Sequence, residues 1–289
     1  MSRGLNTING LLNIGNTCYL NSGLQMLIQN RDFCNIILQN RDKSENTKVM
    51  ANFIQEYYSS NDNSINPAKV KSIVEKKRKM FRGSQQHDAA EFIVTLLEIL
   101  NEDLNDEINK LFNIEIKSSI KCKLLKCLTV SETLSKSPFL ILSINQDSKN
   151  LDDCYRNYKV HEKLEKDDLY FCEKCQEKRI ASKKISINNW SNHLIIWLKR
   201  FEIKNGNSIK INNSIEIPLE WRHEFKIVGA VLHSGGTDGG HYMYISRNLN
   251  SNSWTLCNDS SVNELSENQA QQYLNKAYIL YYRKFLIYK

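Results

Sequence analysis

Long apolar runs are missing from this sequence of 289 residues. No stretch approaches the ~18 consecutive apolar residues that a membrane-spanning helix needs. The opening MSRGLNTING lacks the apolar segment of a signal peptide, and no internal repeat or low-complexity linker is recognisable. These absences predict an intracellular protein, cytoplasmic or nuclear, without a membrane partner. They do not indicate an oligomeric state.

Cysteine is too sparse for the disulfide framework of a small secreted domain, because only eight occur in the chain. In a reducing compartment such residues indicate thiol chemistry, metal ligation or core packing. The eight are Cys18, Cys34, Cys122, Cys127, Cys154, Cys172, Cys175 and Cys257.

A concentrated basic surface is also lacking, although the formal net charge is +7. Lysine and arginine are scattered, and the one dense run, EKKRKMFR at residues 75–82, is typical of a solvated helix face. We therefore predict no nucleic-acid partner. A basic, zinc-containing nucleic-acid binder would need a clustered positive face and aromatic stacking platforms, and the sequence shows neither.

The 41% hydrophobic content is enough for a sizeable core, and its spacing changes along the chain. In the first third, apolar residues recur with helical spacing at Leu20, Leu24, Leu27 and Ile28, and again from Phe92 to Leu104. From about residue 114, short β-type runs such as FLILSI, HLIIWLKRF and AYILYYR follow one another. Helices first and strands later predict an α+β fold. The polar stretch at residues 59–69 is expected to be an exposed loop.

Cys18 follows the segment GNT at the expected start of the first helix, where Asn16 or Thr17 could cap the helix. Unsatisfied N–H groups and the helix dipole favour a thiolate there, which suits a nucleophile. A buried packing residue is the alternative interpretation. The choice depends on partners elsewhere in the chain.

A thiol protease needs a histidine base and a polar group that orients it. His241 follows two glycines at the start of the strand-like run HYMYISR. Asn258 and Asp259 lie in WTLCNDSSV on the expected next strand, so pairing of the two strands could bring them beside His241. The spacing is compatible with a Cys/His/Asn arrangement.

The segments around these residues resemble a known family. GLLNIGNTCYLNSGLQ, GGTDGGHYMYI and WTLCNDSSV are similar to the cysteine and histidine boxes of the ubiquitin-specific proteases. GSQQHDAAEF, HLIIWLKRF and AYILYYR resemble further boxes of that family, so the resemblance covers nearly the whole chain. It implies a papain-like cysteine protease fold with a helical thumb, β-hairpin fingers and a β-rich palm. In this sequence, these would span about residues 1–110, 111–190 and 191–289 of a single catalytic domain.

The resemblance also implies roles for individual residues. Cys18 attacks the carbonyl of the C-terminal glycine of ubiquitin, His241 acts as general base and acid, and Asn258 orients the imidazole. Asp259 could stabilise the imidazolium charge. Asn13, five residues before Cys18, matches the family's amide donor to the oxyanion, although a loop asparagine can also simply support a turn.

Carboxylates in GSQQHDAAEF match those with which the family grips the arginines of the ubiquitin tail. We assign Asp88 and Glu91 to tail recognition and Gln86 and Tyr242 to the lining of the groove. Acidic residues in a first helical turn can also serve only to complement the helix dipole. His87, between Gln86 and Asp88 in the sequence, is expected to have a surface role.

Two cysteine pairs have spacings compatible with zinc. Cys172 and Cys175 form a two-residue knuckle, whereas Cys122 and Cys127 are separated by four residues where the family usually has two. A structural zinc site of four thiolates at the tip of the fingers is predicted, with free or buried thiols as the alternative. No organic cofactor is expected. Cys257 is predicted to be an inert core residue.

The sequence therefore predicts a thiol-dependent deubiquitinase. The alternatives are a ubiquitin-binding module without catalysis, which the complete set of Cys18, His241 and Asn258 argues against, and a peptidase for another ubiquitin-like modifier, which Asp88 and Glu91 disfavour.

Overall fold

The structure, a computed structural model, describes residues 8–62, 64–204, 206–237 and 239–285. Within these residues six helices precede the first long strand and two follow later. The helices are α1 (Cys18–Ile28), α2 (Arg31–Gln39), α3 (Glu45–Ser59), α4 (Ala68–Lys77), α5 (Ala89–Asp103), α6 (Glu107–Phe112), α7 (Leu151–Tyr158) and α8 (Glu267–Leu274).

The strands are mostly short and concentrated in the second part of the chain. They are β1 (Gly10–Leu11), β2 (Ser64–Ile65), β3 (Ile114–Cys122), β4 (Val130–Ser137), β5 (Phe139–Ser143), β6 (Glu162–Leu164), β7 (Tyr170–Cys172), β8 (Glu177–Arg179), β9 (Ala181–Asn189), β10 (His193–Lys199), β11 (Phe201–Lys204), β12 (Asn207–Lys210), β13 (Glu220–Trp221), β14 (Phe225–Gly235), β15 (Gly240–Arg247), β16 (Trp254–Asn258), β17 (Ser261–Leu265) and β18 (Ile279–Lys284). Helices followed by strands confirm the predicted α+β class.

Helix α1 lies at the centre of the molecule. All eleven of its residues are buried, because it packs between α5 and strand β15. The apolar stripes predicted for α1 and α5 are buried throughout, as at Leu24 and Leu96, which are both 0% exposed. Burial on every side is consistent with the absence of any charged residue in α1. The packing also places the N-terminus of α1 beside the large sheet.

The large sheet has the strand order β17-β16-β15-β14-β18-β10-β5, with β13 paired to β14. Neighbouring strands are antiparallel except β5 and β10, which are parallel. Its central strands are apolar, as the runs HLIIWLK and ILYY predict. Because β15 and β16 are neighbours, residues near the start of β15 and the end of β16 meet beside α1.

A second sheet has the order β4-β3-β9-β6, and the short hairpin β7-β8 lies next to it in sequence. The division into thumb, fingers and palm stays a prediction at this point. Within its predicted fingers range, β5 pairs with β10 and therefore belongs to the large sheet.

The stretch at residues 59–69 is not simply an exposed loop. Ile65 is 1% exposed and belongs to β2, which pairs in parallel with β1. Burial of one apolar side chain draws this segment into the fold, and the polar residues around it hid that signal in the sequence. Among the described residues, no helix combines the length and apolarity needed to cross a bilayer.

Candidate active site

Helix α1 begins at Cys18, and a tight turn precedes it. The predicted capping by Asn16 or Thr17 is wrong. Thr17 occupies the N-cap position, but its hydroxyl accepts from the N–H of Ile14 (3.0 Å) and makes no capping bond. The turn is held by Asn13, whose Oδ1 accepts from the N–H of Thr17 (3.1 Å). The first N–H groups of α1 therefore have no side-chain cap.

The Cys18 thiol is 3% exposed, and its burial raises its pKa. A hydrogen bond from the backbone N–H of Tyr242 lowers the pKa, whereas the negative charge of Asp259 raises it further. The combined effect is a raised pKa for Cys18. The N–H groups of Cys18 and Tyr19 at the helix start lower the pKa, as expected, but desolvation outweighs them and the pKa is raised overall. A protonated thiol needs a base before it can attack.

His241 is the second residue of β15. It directly precedes Tyr242, whose backbone N–H contacts the Cys18 sulfur. Its Nε2 lies 2.6 Å from Asn258 Oδ1. An amide oxygen can only accept a hydrogen bond, so Nε2 carries the hydrogen and Nδ1 keeps a lone pair for a proton. The preceding residue must be glycine, because a Cβ at Gly240 would lie 2.5 Å from the backbone carbonyl oxygen of Ser234 and 2.2 Å from His233 Nε2.

Asp259 lies in the turn between β16 and β17. Its Oδ2 is 4.0 Å from His241 Nε2 and accepts a hydrogen bond from Asn13 Nδ2 (2.9 Å). Asn13 therefore uses its oxygen for the turn before Cys18 and one amide hydrogen for Asp259, which leaves one hydrogen for another acceptor. Strand pairing thus brings Asn258 and Asp259 to His241, while packing of α1 on β15 brings the thiol to the same place.

A cleft of about 530 Å³ lies between the start of α5 and the loop before β15. Gln86, Asp88 and Tyr242 line it, and Gln86 Oε1 accepts from the N–H of Gly240 (3.1 Å). Tyr242 connects the cleft with the thiol, since its backbone donates to the Cys18 sulfur. An extended chain following this cleft would approach Cys18.

The two carboxylates expected to bind a substrate tail differ in their contacts. Asp88 caps α5 by accepting from the N–H groups of Ala90 (2.7 Å) and Glu91 (3.1 Å). Its other oxygen accepts from the hydroxyls of Tyr278 (2.5 Å) and Tyr242 (3.2 Å). The Glu91 carboxylate makes no hydrogen bond or ion pair within the described part of the chain, and burial raises its pKa. Glu91 is thus the carboxylate with more capacity for a cationic partner.

Several residues of this region were not recognised from the sequence. Asn21 is 2% exposed and donates to Asp259 Oδ1 (2.7 Å). Tyr278 donates a hydrogen bond to Asp88. His233 is also part of this region, and burial lowers its pKa to about 4. A polar residue one turn after Cys18 in an apolar helix could have drawn attention to Asn21. His87, for which a surface role is expected, is half-buried: it lines the cleft, and its ring packs against Tyr19 and Phe81.

The four cysteines of the two predicted pairs come together at the β3–β4 and β7–β8 turns. Their sulfur atoms all lie within 4.8 Å of one another, and the sulfurs of Cys127 and Cys172 are 3.6 Å apart. Tetrahedral zinc with four thiolates separates its sulfurs by ~3.8 Å, so the donor set fits a metal ion of this type. Hydrogen bonds from Thr129 lower the pKa of Cys127 to about 6, which favours a thiolate there. The hydrogen bond to Cys127, by contrast, raises the pKa of Cys175 to about 12, so ionisation of all four thiols requires the charge of a bound cation. The four intervening residues in the first pair therefore do not prevent clustering with Cys122 and Cys175.

Cys257 is a buried residue of β16, 3% exposed. Burial raises its pKa to about 12, so the thiol stays protonated at neutral pH. It faces the packing between α1 and the sheet, where Gln29 Nε2 is 4.0 Å from its sulfur. This environment agrees with the expected inert core residue.

Comparison with known proteins gives one consistent result. The model of the ubiquitin carboxyl-terminal hydrolase family matches residues 9–282. Ubiquitin carboxyl-terminal hydrolase 2 of Bos taurus is 28% identical over 97% of this chain and 56% of that protein. Usp2 of Drosophila melanogaster is 27% identical over 95% of this chain and 34% of that protein. The chain thus spans about half, or less, of the length of these relatives.

The fold has a similar solved counterpart. A chain of the SAGA Ubp8/Sgf11/Sus1/Sgf73 DUB module bound to ubiquitin aldehyde has a TM-score of 0.83 and 25% identity, covering 97% of this chain and 70% of that one. This likeness confirms the expected papain-like α+β fold. The family model spans nearly the whole sequence. The chain therefore belongs to the ubiquitin carboxyl-terminal hydrolase family, as its resemblance to ubiquitin-specific proteases predicts.

Proposed function

We propose that this protein is a deubiquitinase that hydrolyses the peptide or isopeptide bond at the C-terminal glycine of ubiquitin. One observation carries the proposal. The buried thiol of Cys18 accepts a hydrogen bond from the backbone of Tyr242, the neighbour of His241. The imidazole of His241 is oriented by a 2.6 Å hydrogen bond to Asn258. Family membership and a likeness to a structure bound to ubiquitin aldehyde support this substrate class.

In the proposed reaction, His241 Nδ1 takes the proton of Cys18, and the sulfur forms a bond to the glycine carbonyl carbon. The bond to the leaving amine then breaks, and the amine receives the proton from His241. This leaves a thioester. Water, deprotonated by His241, attacks the thioester and releases the ubiquitin carboxylate and the Cys18 thiol. The carboxylate of Asp259, 4.0 Å from Nε2, would stabilise the imidazolium that forms in each half of the reaction.

The test uses ubiquitin whose C-terminus carries an electrophile. Wild-type protein should form one covalent adduct at Cys18, identified by peptide mass spectrometry, and Cys18→Ala should form none. Reagents built from other ubiquitin-like modifiers, run in parallel, should react much more slowly. Non-covalent binding of ubiquitin by wild type without any adduct would support the binding-module alternative and contradict the proposed enzyme.

Asn13 is proposed to stabilise the oxyanion with the amide hydrogen that Asp259 does not use. Asn13→Ala is expected to lower kcat by ~100-fold or more, with KM changed little, because the donor acts mainly in the transition state. Hydrolysis of ubiquitin with a fluorogenic C-terminal amide measures both constants. The same change also frees the turn before Cys18, so the melting temperature should be measured alongside. Unchanged kcat in a folded variant would contradict the role.

Glu91 and Asp88 are proposed to receive the basic tail of ubiquitin, with Gln86 and Tyr242 lining the path. Because Asp88 already binds two tyrosines and caps α5, Glu91 should contribute most of the attraction. Glu91→Gln is expected to raise KM about tenfold and leave kcat nearly unchanged. The reason is that Glu91 would attract the tail equally in the bound substrate and in the transition state. Glu102→Gln, on the exposed face of the same helix, is the matched control and should leave KM unchanged.

We further propose a structural zinc ion held by Cys122, Cys127, Cys172 and Cys175, with no organic cofactor. A site closed by four thiolates has no open position for catalysis, so it would stabilise the fold only. We propose one catalytic domain made of thumb, fingers and palm over residues 1–289. An intracellular location is proposed because none of the eight cysteines is paired in a disulfide.

A further inference from the structure

Asn21 connects three segments of the candidate active site. It lies in the first turn of α1, three residues after Cys18, and is 2% exposed. Its Nδ2 donates to Asp259 Oδ1 (2.7 Å) and lies 3.3 Å and 3.2 Å from the carbonyl oxygens of Leu11 and Leu12. The two amide hydrogens therefore serve the β16–β17 turn and the segment that leads to Cys18.

The carboxylate of Asp259 is held from both sides by these bonds. Asn21 binds one of its oxygens, and Asn13 binds the other, which is also 4.0 Å from His241 Nε2. Asp259 has a left-handed backbone (φ 49°), which aspartate adopts more readily than most residues with a Cβ. Its carboxylate is held in place by the two amide donors, one on each oxygen.

The backbone around Asp259 is locked against β1. The carbonyl oxygen of Asp259 accepts from the N–H of Leu11 (2.8 Å). A Cβ on Gly10 would lie 2.3 Å from the carbonyl oxygen of Ser260, so only glycine permits this approach. Neither contact involves Asn21, so we expect its loss to change the position of the Asp259 carboxylate rather than that of the backbone.

We propose that Asn21 is a positioning residue, which fixes the Asp259 carboxylate so that one oxygen can orient the Asn13 amide and face His241. The inference rests on the proposed hydrolase function and adds a residue to it. Asn21 is not one of the groups that react in the proposed hydrolysis; its amide contacts Asp259 and the carbonyl oxygens of Leu11 and Leu12. It acts through Asp259, and through Asp259 on Asn13 and His241. In this buried helix, an apolar residue would pack as well but could not hold a carboxylate.

A double-mutant cycle separates positioning from general support of the fold. Asn21→Ala is expected to lower kcat by about 10- to 100-fold with KM within about threefold of wild type. In an Asp259→Ala background, the same change should cost less than about threefold, because the group that Asn21 positions is gone. Ser22→Ala is the matched control. It removes another buried polar group of α1, whose hydroxyl bonds within the described residues to Tyr19 O alone, and kcat should stay unchanged.

Alkylation of Cys18 by iodoacetamide gives a readout that needs no ubiquitin. The negative charge of Asp259 opposes formation of the thiolate. Asn21→Ala lets this carboxylate turn away, so the midpoint of the rate-against-pH profile should fall by about 0.5 pH unit. Asp259→Ala should also lower the midpoint, and adding Asn21→Ala to it should produce no further shift.

The outcomes distinguish this inference from the proposed function. Equal losses of kcat in the two backgrounds, or an unchanged kcat and alkylation midpoint in folded Asn21→Ala, would overturn the positioning role while the hydrolase assignment stands. Failure of wild type to react with electrophilic ubiquitin would overturn the function, and the alkylation cycle would still decide the role of Asn21. Circular dichroism checks folding. If Asn21→Ala does not fold, Asn21→Ser, whose hydroxyl can donate to one nearby carbonyl, takes its place in the cycle.

Discussion

His241→Ala is expected to lower kcat/KM for ubiquitin substrates by about 10⁴-fold. The physical reason is the state of the thiol. Burial and the charge of Asp259 raise the pKa of Cys18, so at neutral pH the sulfur is protonated and cannot attack without a base. The imidazole is the group oriented for this task, through its 2.6 Å bond to Asn258. Hydrolysis of ubiquitin with a fluorogenic C-terminal amide measures the loss.

The pH dependence of the residual activity gives a second expectation for the same variant. Without the base, attack relies on the thiolate that forms spontaneously, and its fraction rises about tenfold per pH unit below the thiol pKa. Since the pKa of Cys18 is raised, this increase should continue beyond ~8.5, the ordinary value for a cysteine. The defect is therefore expected to be largest at low pH and to shrink as the pH rises.

His161→Ala is the control for this experiment, because this exposed histidine lies between α7 and β6 and outside the proposed site. It should retain wild-type activity at every pH. Binding of unmodified ubiquitin to His241→Ala, measured by calorimetry, should match that of Cys18→Ala. A loss of less than about tenfold in kcat/KM would mean that His241 is not the general base.

The sequence predicts best what depends on local pattern. The stripes of α1 and α5 could be identified because helical spacing and burial coincide in them. The proximity of His241 and Asn258 could be expected because β15 and β16 are joined by a short connection, and adjacent antiparallel strands normally pair. The cysteine pairs could be recognised because zinc ligands occur in short local spacings.

Features that depend on tertiary packing could not be predicted in this way. Burial of Cys18 where α1 packs on β15 outweighs the effect of the helix start on its pKa, and no local pattern reports that desolvation. Asn21 and Asp259 are separated by 238 positions, so their hydrogen bond appears only in the folded chain. Asp88 likewise gains its two tyrosine partners from positions 154 and 190 residues away. These long-range contacts are also those that place the polar groups of the candidate site.

These long-range hydrogen bonds couple the candidate site to the packing of α1 on the large sheet. Asn13, Asp259 and Asn21 form one hydrogen-bonded series from the turn before Cys18 to the β16–β17 turn. A change in any of them should alter the others, which means that single replacements will not add independently. The cysteine cluster lies on other strands and makes no bond to this series in the described residues.

Removal of the proposed zinc ion should therefore destabilise the protein without changing the chemistry at Cys18. Wild-type protein is expected to contain one equivalent of zinc by mass spectrometry, and Cys172→Ser to contain none. A structural zinc site contributes directly to folding free energy, so the melting temperature should fall by about 10 °C or more. Cys34→Ser is the matched control, since this buried thiol bonds to Ile28 O, which a serine hydroxyl can also reach.

The cysteine cluster and the site around Cys18 are expected to act independently. At a temperature where Cys172→Ser is still folded, alkylation of Cys18 by iodoacetamide should proceed at the wild-type rate, because β7 and β8 lie outside the large sheet that carries His241. KM for ubiquitin should rise if the hairpins contact the substrate, while kcat stays close to wild type. A metal-free wild-type preparation with unchanged stability would contradict the zinc assignment, and a loss of thiol reactivity in Cys172→Ser would contradict the independence of the two sites.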